Sequence, residues 1–376
     1  MTQDNLRICY ISNSASPSKN ASSLQIAKLC EYLVKNGNKV KLVLPDTGLK
    51  KNFYKYYDIK YKYEIIRLKK FRKFPIGVNY YLYSFFAILN SDIKKNDLYI
   101  TRNFFTSFLL SALNKKHVLE VHDDIEIEGR IIKFLVKYLK ILNNRSLIKI
   151  VTTTKTLKKK YKEYGTNVKK LEVIHNSSSL IKKFKKYKKK HTLNIGYFGS
   201  IFNSRGIEMI IRLSKLDRKN KYFIFGGTNK EIKELKKDIF NKNIFFSKYI
   251  PYAKVLSELN KIDICILPYT SKITVSGNVG DISKFTSPLK IFDYMKLGKL
   301  IICSNLPVLR EVLIDKKNCI LVNNFKNEKN WINVINKVSL NYGRFTKIRK
   351  NAFNFANKFD LKWRVSRILS FKKFSN

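Results

Sequence analysis

The amino-acid sequence predicts an α/β protein made of two doubly wound domains. Three observations carry this. Short apolar runs alternate with amphipathic stretches along all 376 residues, the pattern of parallel strands joined by crossover helices. The alternation is interrupted at 181–190, IKKFKKYKKK, a lysine-rich stretch without an acid that cannot contribute to a core. The length exceeds what one core of roughly 150 residues supports.

In the first half, LRICYIS (6–12) reads as a strand. Residues 22–36 read as a helix whose buried side carries Leu24, Ala27, Leu29 and Leu33, with Gly37 as the stop. KVKLVL (39–44) is a second strand, ended by Pro45. Further strands fall at 97–101, 117–121 and 148–152, and the half closes with LEVIHNSSS at 171–179. The pattern restarts with LNIGYFGS (193–200), a strand running into a Gly turn. A helix (206–216), a strand (221–225), a helix (229–238), a strand (243–247), a helix (252–260) and a strand (263–268) follow. The boundaries expected are a first domain over 1–180, a linker over 181–190 and a second domain over 191–356. In such sheets ligands bind beyond the carboxyl ends of the strands, so a cleft between the domains is the expected site.

The most informative segment is 287–307, SPLKIFDYMKLGKLIICSNLP, a turn, a helix over 288–297, a Gly stop, a buried strand and a Pro exit. Ser287 and Pro288 stand where an N-cap and first helical residue belong. A helix start presents free amides and the positive end of a dipole, which suits a phosphate. Lys290 and Asp293 lie on neighbouring turns of one face, where the carboxylate can take the two hydroxyls of a ribose. Upstream, Gly196 and Gly199 close a strand and Arg205 precedes a helix begun at Gly206. Gly226-Gly227 marks another strand–turn–helix junction, and KIDICILPYTS ends a strand in Pro-Tyr at Tyr269. Each junction alone is common in α/β proteins. His122, at a strand end before Asp123 and Asp124, reads in isolation as structural, and the four histidines show no metal-ligand spacing. No Ser-His-Asp or Cys-His set emerges. The five cysteines are scattered, without a CxxC, and are expected as buried, reduced thiols.

Taken in order, the Gly turn with Arg205, Gly226-Gly227, IDICILPY, SPLKIFDYM and GKLIICSNLP resemble the C-terminal half of the family 4 glycosyltransferases, retaining enzymes of the GT-B fold. SPSKNASSLQIAKLCEYLVKNGNKVKLVLP (16–45), LYITRN (98–103), LEVHDD (119–124) and VIHNSSS (173–179) are similar to its N-terminal segments. The resemblance covers nearly the whole chain and implies two Rossmann-like domains facing a central cleft. The closing NKFDLKWRVSRIL, with Trp363, would be the helix that crosses back to the first domain, within 357–376. A nucleotide-diphosphate sugar would be the donor substrate, with no cofactor and no metal. His122, Arg205 and Lys290 would be the catalytic groups. Gly199, Ser200, Gly226, Gly227, Tyr269, Thr286, Ser287, Pro288, Leu289 and Asp293 would line the donor. Ser12, Asn13, Ser22, Arg102 and Asp123 would face the acceptor, a glycan or a lipid-linked one. The sequence departs from the family at two places. The acids of its E-x7-E pair fall on Phe285 and Asp293, so only the second survives, as in SPLKxFEYM variants. The usual Arg after the Gly turn is Ser200.

The chain carries 76 basic and 27 acidic residues, a net charge of +49, which draws it to anionic surfaces. Residues 50–73 hold ten basic residues, two acids and seven aromatics, a composition that suits a lipid head-group boundary. No secretory signal or membrane-spanning run is evident, so a cytoplasmic protein, peripheral on the inner membrane face, is expected. Two other readings stay open. One is a nucleotide-sugar-binding protein without activity, given Phe285 and Ser200. The other is a basic nucleic-acid-binding protein, disfavoured because no RNP, KH, zinc or helix-turn-helix signature accompanies the charge.

Overall fold

The computed structural model describes all residues except 1–4, 50–51, 70–73, 181–182, 186–190, 202, 238, 275–280 and 372–376. The chain divides into two compact units, Met1–His175 with Leu361–Asn376, and Asn176–Asp360.

In the first unit, strands β1 (Arg7–Ile11), β2 (Lys39–Pro45), β3 (Glu64–Leu68), β4 (Leu98–Thr101), β5 (His117–Val121), β6 (Leu147–Thr152) and β7 (Leu171–Val173) form one parallel sheet. Its order is β3-β2-β1-β4-β5-β6-β7. The crossovers carry helices α1 (Ala21–Lys35), α2 (Phe53–Tyr57), α3 (Ile76–Leu89), α4 (Phe104–Ala112), α5 (Arg130–Lys137) and α6 (Lys155–Glu163). Strand alternation sets the layers. Ile8 and Tyr10 join Ile26, Leu29 and Leu33 of α1 in one cluster. Cys9 and Ile11 join Tyr83 and Ala87 of α3 and Leu110 of α4 in another, on the opposite face.

In the basic, aromatic stretch 50–73, expected as a membrane surface, the described lysines and Tyr61 are exposed, while three of the aromatics serve the core. The described part of the stretch contains α2 and β3, and Phe53, Tyr57 and Tyr63 are buried. The Tyr57 hydroxyl donates to the Ser18 carbonyl at 3.1 Å and that of Tyr63 to the Ala27 carbonyl at 2.9 Å. These rings are amphipathic because they reach polar backbone from inside a core. Of the expected linker, 183–185 are described and the rest lies outside the described residues.

In the second unit, β8 (Asn194–Phe198), β9 (Lys221–Phe225), β10 (Ile244–Ser247), β11 (Ile264–Leu267), β12 (Leu300–Ser304) and β13 (Ile320–Val322) pair in parallel, in the order β10-β9-β8-β11-β12-β13. Helices α7 (Ile207–Leu216), α8 (Asn229–Lys236), α9 (Tyr252–Lys261), α10 (Leu289–Lys296), α11 (Glu328–Leu340) and α12 (Thr346–Lys358) cover the sheet. Every residue of β11 and β12 is buried, which is why ICIL and LIICS show no polar alternation. The five cysteines are free and buried.

The first compact unit ends at His175 rather than 180. Asn176 Nδ2 donates to the Ser287 carbonyl at 2.6 Å, and Ser178 Oγ donates to Asp293, so this tail belongs to the second unit. The last helix, α13 (Leu361–Leu369), returns to the first unit and places Leu361, Val365 and Ile368 in the β1–α1 core. Its Arg364 is fully buried. The guanidinium donates to the carbonyls of Ile174 and His175, both at 2.8 Å, and to Glu120. Glu120 also accepts from the Tyr10 hydroxyl at 2.7 Å and from Arg102 Nε at 3.1 Å. Burial pushes the Glu120 carboxyl up, but Arg102 and Arg364 outweigh it and hold it well below the usual range. Replacing Arg364 by Leu leaves a buried carboxylate half-compensated, an expected loss of roughly 3–5 kcal/mol. Urea unfolding followed by a probe in the first unit checks this, and an unchanged midpoint would refute it.

Candidate active site

In both sheets the strand order reverses beside the first strand, between β1 and β4 and between β8 and β11. Ligands bind at such switch points. In the second unit β8 runs into Gly199, whose amide donates to the Phe225 carbonyl at 2.8 Å. A side chain at Gly199 would collide with Lys290 Nζ, and a Cβ on Gly226 would lie 1.9 Å from the Gly199 carbonyl oxygen. Glycine at both positions therefore lets the two strand ends and a lysine share one place.

β11 exits through Pro268 to Tyr269, a buried ring whose carbonyl accepts Ser304 Oγ at 2.7 Å. Two cations converge on this ring. Lys290 Nζ stands 4.0 Å from the Tyr197 centroid and 5.6 Å from that of Tyr269, and the Arg205 guanidinium stands 5.2 Å from Tyr269. Arg205 also donates to the Thr274 carbonyl at 3.3 Å. Among the described residues no carboxylate pairs with either cation. Burial, and then the Arg205 charge, hold the Lys290 ammonium well below its ordinary value. The exposed Ser200 turns its carbonyl to the Tyr197 hydroxyl at 2.8 Å.

Helix α10 begins beside them. Pro288 is its N-cap, in extended conformation, and no side chain caps the start; Ser287 does not supply the cap the sequence suggested. The Phe285 and Thr286 amides both donate to the Ile282 carbonyl, at 3.0 and 2.8 Å, so the Thr286 amide is engaged within its own loop. Asp281 Oδ1 fixes that loop by accepting the amides of Ile273 and Ser283. Among the described residues the amides of Ser287, Leu289 and Lys290 have no acceptor, which leaves the helix start open to an anion. Phe285 is buried as an apolar anchor. One turn into α10, Asp293 Oδ1 accepts Ser178 Oγ at 2.5 Å and the Tyr252 hydroxyl at 3.1 Å. Burial pushes this carboxyl up to about 6 against the two hydroxyl donors. A cavity of about 180 Å³ is lined by Gly206, Arg212, Pro268, Tyr269 and Lys326 but not by Lys290 or Asp293.

Gly227 follows Gly226 and carries the amide of Tyr249 on its carbonyl at 3.2 Å. Sequence reasoning did not single out Ser178, Tyr252 or Tyr197. The run of serines in VIHNSSS was a signal for the first. For the two tyrosines, aromatic residues in apolar runs read as core.

The first unit holds the other predicted residues. His122 follows β5, and its Nε2 is buried without a hydrogen-bond partner among the described residues. Burial, then Arg102, depress its imidazole well below the ordinary value, so the ring is neutral at neutral pH. Burial raises the Asp123 carboxyl. Arg102 is engaged by Glu120 and by Gln25 Oε1 at 3.0 Å; its charge is committed inside the unit. Ser12 is buried and its carbonyl accepts the Tyr83 hydroxyl, Ser22 accepts from Ser14 at 3.2 Å, and Asn13 is exposed.

The family model described as Glycosyltransferase Family 4 matches residues 23–178, and that described as Glycosyl transferases group 1 matches 178–355. The chain belongs with these glycosyltransferases. Its fold is GT-B. HepE of Anabaena, solved with UDP-glucose, superposes with a TM-score of 0.68 at 14% identity, covering 97% of this chain and 98% of HepE. Sucrose-phosphate synthase from Thermosynechococcus elongatus gives 0.72 at 13% identity, covering 96% and 97%. The lipopolysaccharide outer core galactosyltransferase WaaB gives 0.64 at 11%, covering 96% and 97%. No curated protein sequence matches the chain.

In this glycosyltransferase the raised Asp293 carboxyl sets a pH signature. A native pKa of about 6 lies above the unfolded value, so the native state binds this proton more tightly. Its stabilising effect is present at low pH and is lost as pH rises through about 6. Asp293→Asn, which keeps an acceptor for Ser178 and Tyr252, is expected to melt no lower than the wild type at neutral pH. The difference should shrink in acid. A variant clearly less stable at neutral pH would refute this reading of the site.

Proposed function

We propose that the protein transfers a sugar, with retention of anomeric configuration, from a nucleotide-diphosphate donor to a glycan or lipid-linked acceptor. The reading rests on one observation: Lys290 and Arg205 converge on Tyr269, unpaired by carboxylates, beside the open amides of α10, with Asp293 a turn away. The donor's two phosphates carry the charge these groups lack, and Asp293 takes the ribose hydroxyls. Helix amides and cations offset the charge that grows on the departing diphosphate, without a metal.

In the transfer the acceptor oxygen bonds to the anomeric carbon on the leaving-group face as the carbon–oxygen bond to phosphate breaks. The departing phosphate takes the acceptor's proton. His122, neutral and with Nε2 unpartnered among the described residues, keeps a ring nitrogen free for a hydrogen bond and holds no acidic proton to give. Phe285 anchors the 281–288 loop by burial, as an SPLKxFEYM-type member would, leaving Ser287 and its amide to the donor. The UDP-glucose complex of HepE and the outer-core role in the name of WaaB support a UDP-type donor and a cell-surface polysaccharide or glycolipid product, made at the cytoplasmic membrane face.

Thermal-shift titration with UDP, GDP, ADP and CMP is the direct test, because a ligand of the native state raises its melting temperature. One nucleoside diphosphate is expected to stand out. Lys290→Ala and Arg205→Ala should each weaken it by about tenfold or more, the effect of a lost charge-assisted hydrogen bond. Binding that no nucleotide shows, or that both variants keep, would overturn the donor site; binding without any nucleotide-sugar turnover would reduce the protein to a nucleotide-sugar binder. An anion beside Lys290 opposes the lowering of its proton affinity by burial, so binding is expected to be accompanied by proton uptake rather than release and to strengthen as pH falls. Calorimetry in two buffers of different ionisation enthalpy reads this directly.

A further inference from the structure

Helices α3, α4 and α5 lie side by side over one face of the first sheet, and their outer surface is unusually apolar. Along α5 and its approach, Ile127, Ile131, Phe134 and Tyr138 are 50%, 52%, 51% and 74% exposed. On α5 the spacing of three and four residues sets Ile131, Phe134 and Tyr138 in one stripe, and Ile127 precedes it in the turn before the helix. The opposite side of the same helix, Ile132, Leu135 and Val136, is buried, so the outer stripe is not needed for the core. α3 repeats the pattern with Phe85 and Leu89 exposed, and neither α3 nor α4 contains a charged residue. Tyr81 and Phe105 bridge the two helices edge to face at 4.8 Å.

The rim of this surface is basic. Arg130, Lys137 and Lys140 are exposed around the α5 stripe. The nearby Glu126 is neutralised by Lys133 at 3.3 Å and Lys137 at 2.7 Å. A surface that pairs large apolar side chains with an excess of cations, Arg130 and Lys140 beyond the two that share Glu126, selects its occupant. A second copy of this chain would set lysine against lysine. Bulk water leaves several large apolar groups solvated. An anionic bilayer accepts the rings and aliphatic groups at its acyl boundary and the lysines at its phosphates.

We propose that the outer face of α3–α5, led by Ile127, Ile131, Phe134 and Tyr138, docks this protein on an anionic phospholipid membrane. The contact is peripheral, since among the described residues no helix is long and apolar enough to cross a membrane. The surface stands on its exposure and charge; its bearing on a lipid-linked acceptor rests on the reading proposed above, so the two are measured separately.

Co-sedimentation of the full-length protein with phosphatidylethanolamine–phosphatidylglycerol vesicles, without donor or acceptor, tests it, with phosphatidylcholine vesicles as the neutral control. The wild type is expected to partition onto the anionic vesicles and far less onto the neutral ones. Ile131→Ser with Phe134→Ser should lower partitioning by about tenfold or more, while melting temperature and nucleoside-diphosphate binding stay unchanged, since both side chains point away from the core. Arg130→Gln with Lys140→Gln should weaken anionic binding and steepen no other difference. The proposal is overturned if the serine variant binds as the wild type does, if the wild type ignores both vesicles, or if the serine change instead dissolves a dimer seen by analytical ultracentrifugation. Loss of nucleotide binding in the wild type would leave this vesicle result standing and remove only the donor site.

Discussion

Two half-buried positive charges held near the positive end of a helix, without a carboxylate partner among the described residues, are the constraint around which the second unit is arranged. Lys290 and the start of α10 repel each other, and Arg205 adds to the repulsion. Several features make this tolerable. Gly199 has no side chain where the ammonium sits. The faces of Tyr197 and Tyr269 supply quadrupoles that attract cations. The loop 281–288 is fixed by its own bonds to Ile282 and Asp281, so it does not fold over the helix start and neutralise it. An anion with two charged groups relieves all of these contacts together, which is the physical content of a diphosphate site.

The first unit uses the same residue types to the opposite end. Arg102 and Arg364 are more withdrawn from water than Lys290, but Glu120 sits between them and accepts from both. That carboxylate joins β5 to the returning helix α13, and Arg364 also closes the carbonyls of Ile174 and His175. Here burial and pairing go together and the result is a tie within the fold. His122 borders this network and feels Arg102 first among the nearby charges, so the ion pair also sets the neutral state of the imidazole.

The fold was legible because parallel sheets write themselves in apolar runs. β1, β2, β4, β5, β6 and every strand from β8 to β12 fall where alternation or continuous hydrophobicity placed them. β3 was not seen, because EIIRL is short and sits among lysines and tyrosines whose composition suggested a surface. Phe53, Tyr57 and Tyr63 before it are buried, a matter of three-dimensional packing that period and composition do not encode. At the site, Lys290 and Asp293 were found from helix spacing alone. Their environment was not. That Tyr269 underlies both cations, that Ser178 and Tyr252 hold the carboxylate, and that Arg102 is already paired all depend on contacts between residues dozens of positions apart.

The large net charge makes pairing, rather than charge, the informative variable. With 76 basic and 27 acidic residues, most lysines have no acid to meet, and on a solvated surface that is of little energetic consequence. An unpaired lysine therefore says nothing by itself. The same is true of a single exposed leucine. What distinguishes Lys290 and Arg205 is that two half-buried cations converge on one aromatic ring without a counter-charge among the described residues, and what distinguishes the α5 stripe is that apolar groups stay together in water while the other side of their helix is buried. The repulsion of the two cations is one that unfolding would relieve, and the stripe leaves apolar area in water that folding does not bury. Neither arrangement improves the isolated fold, and each is matched by one class of partner, a dianionic group in the first case and an anionic apolar boundary in the second.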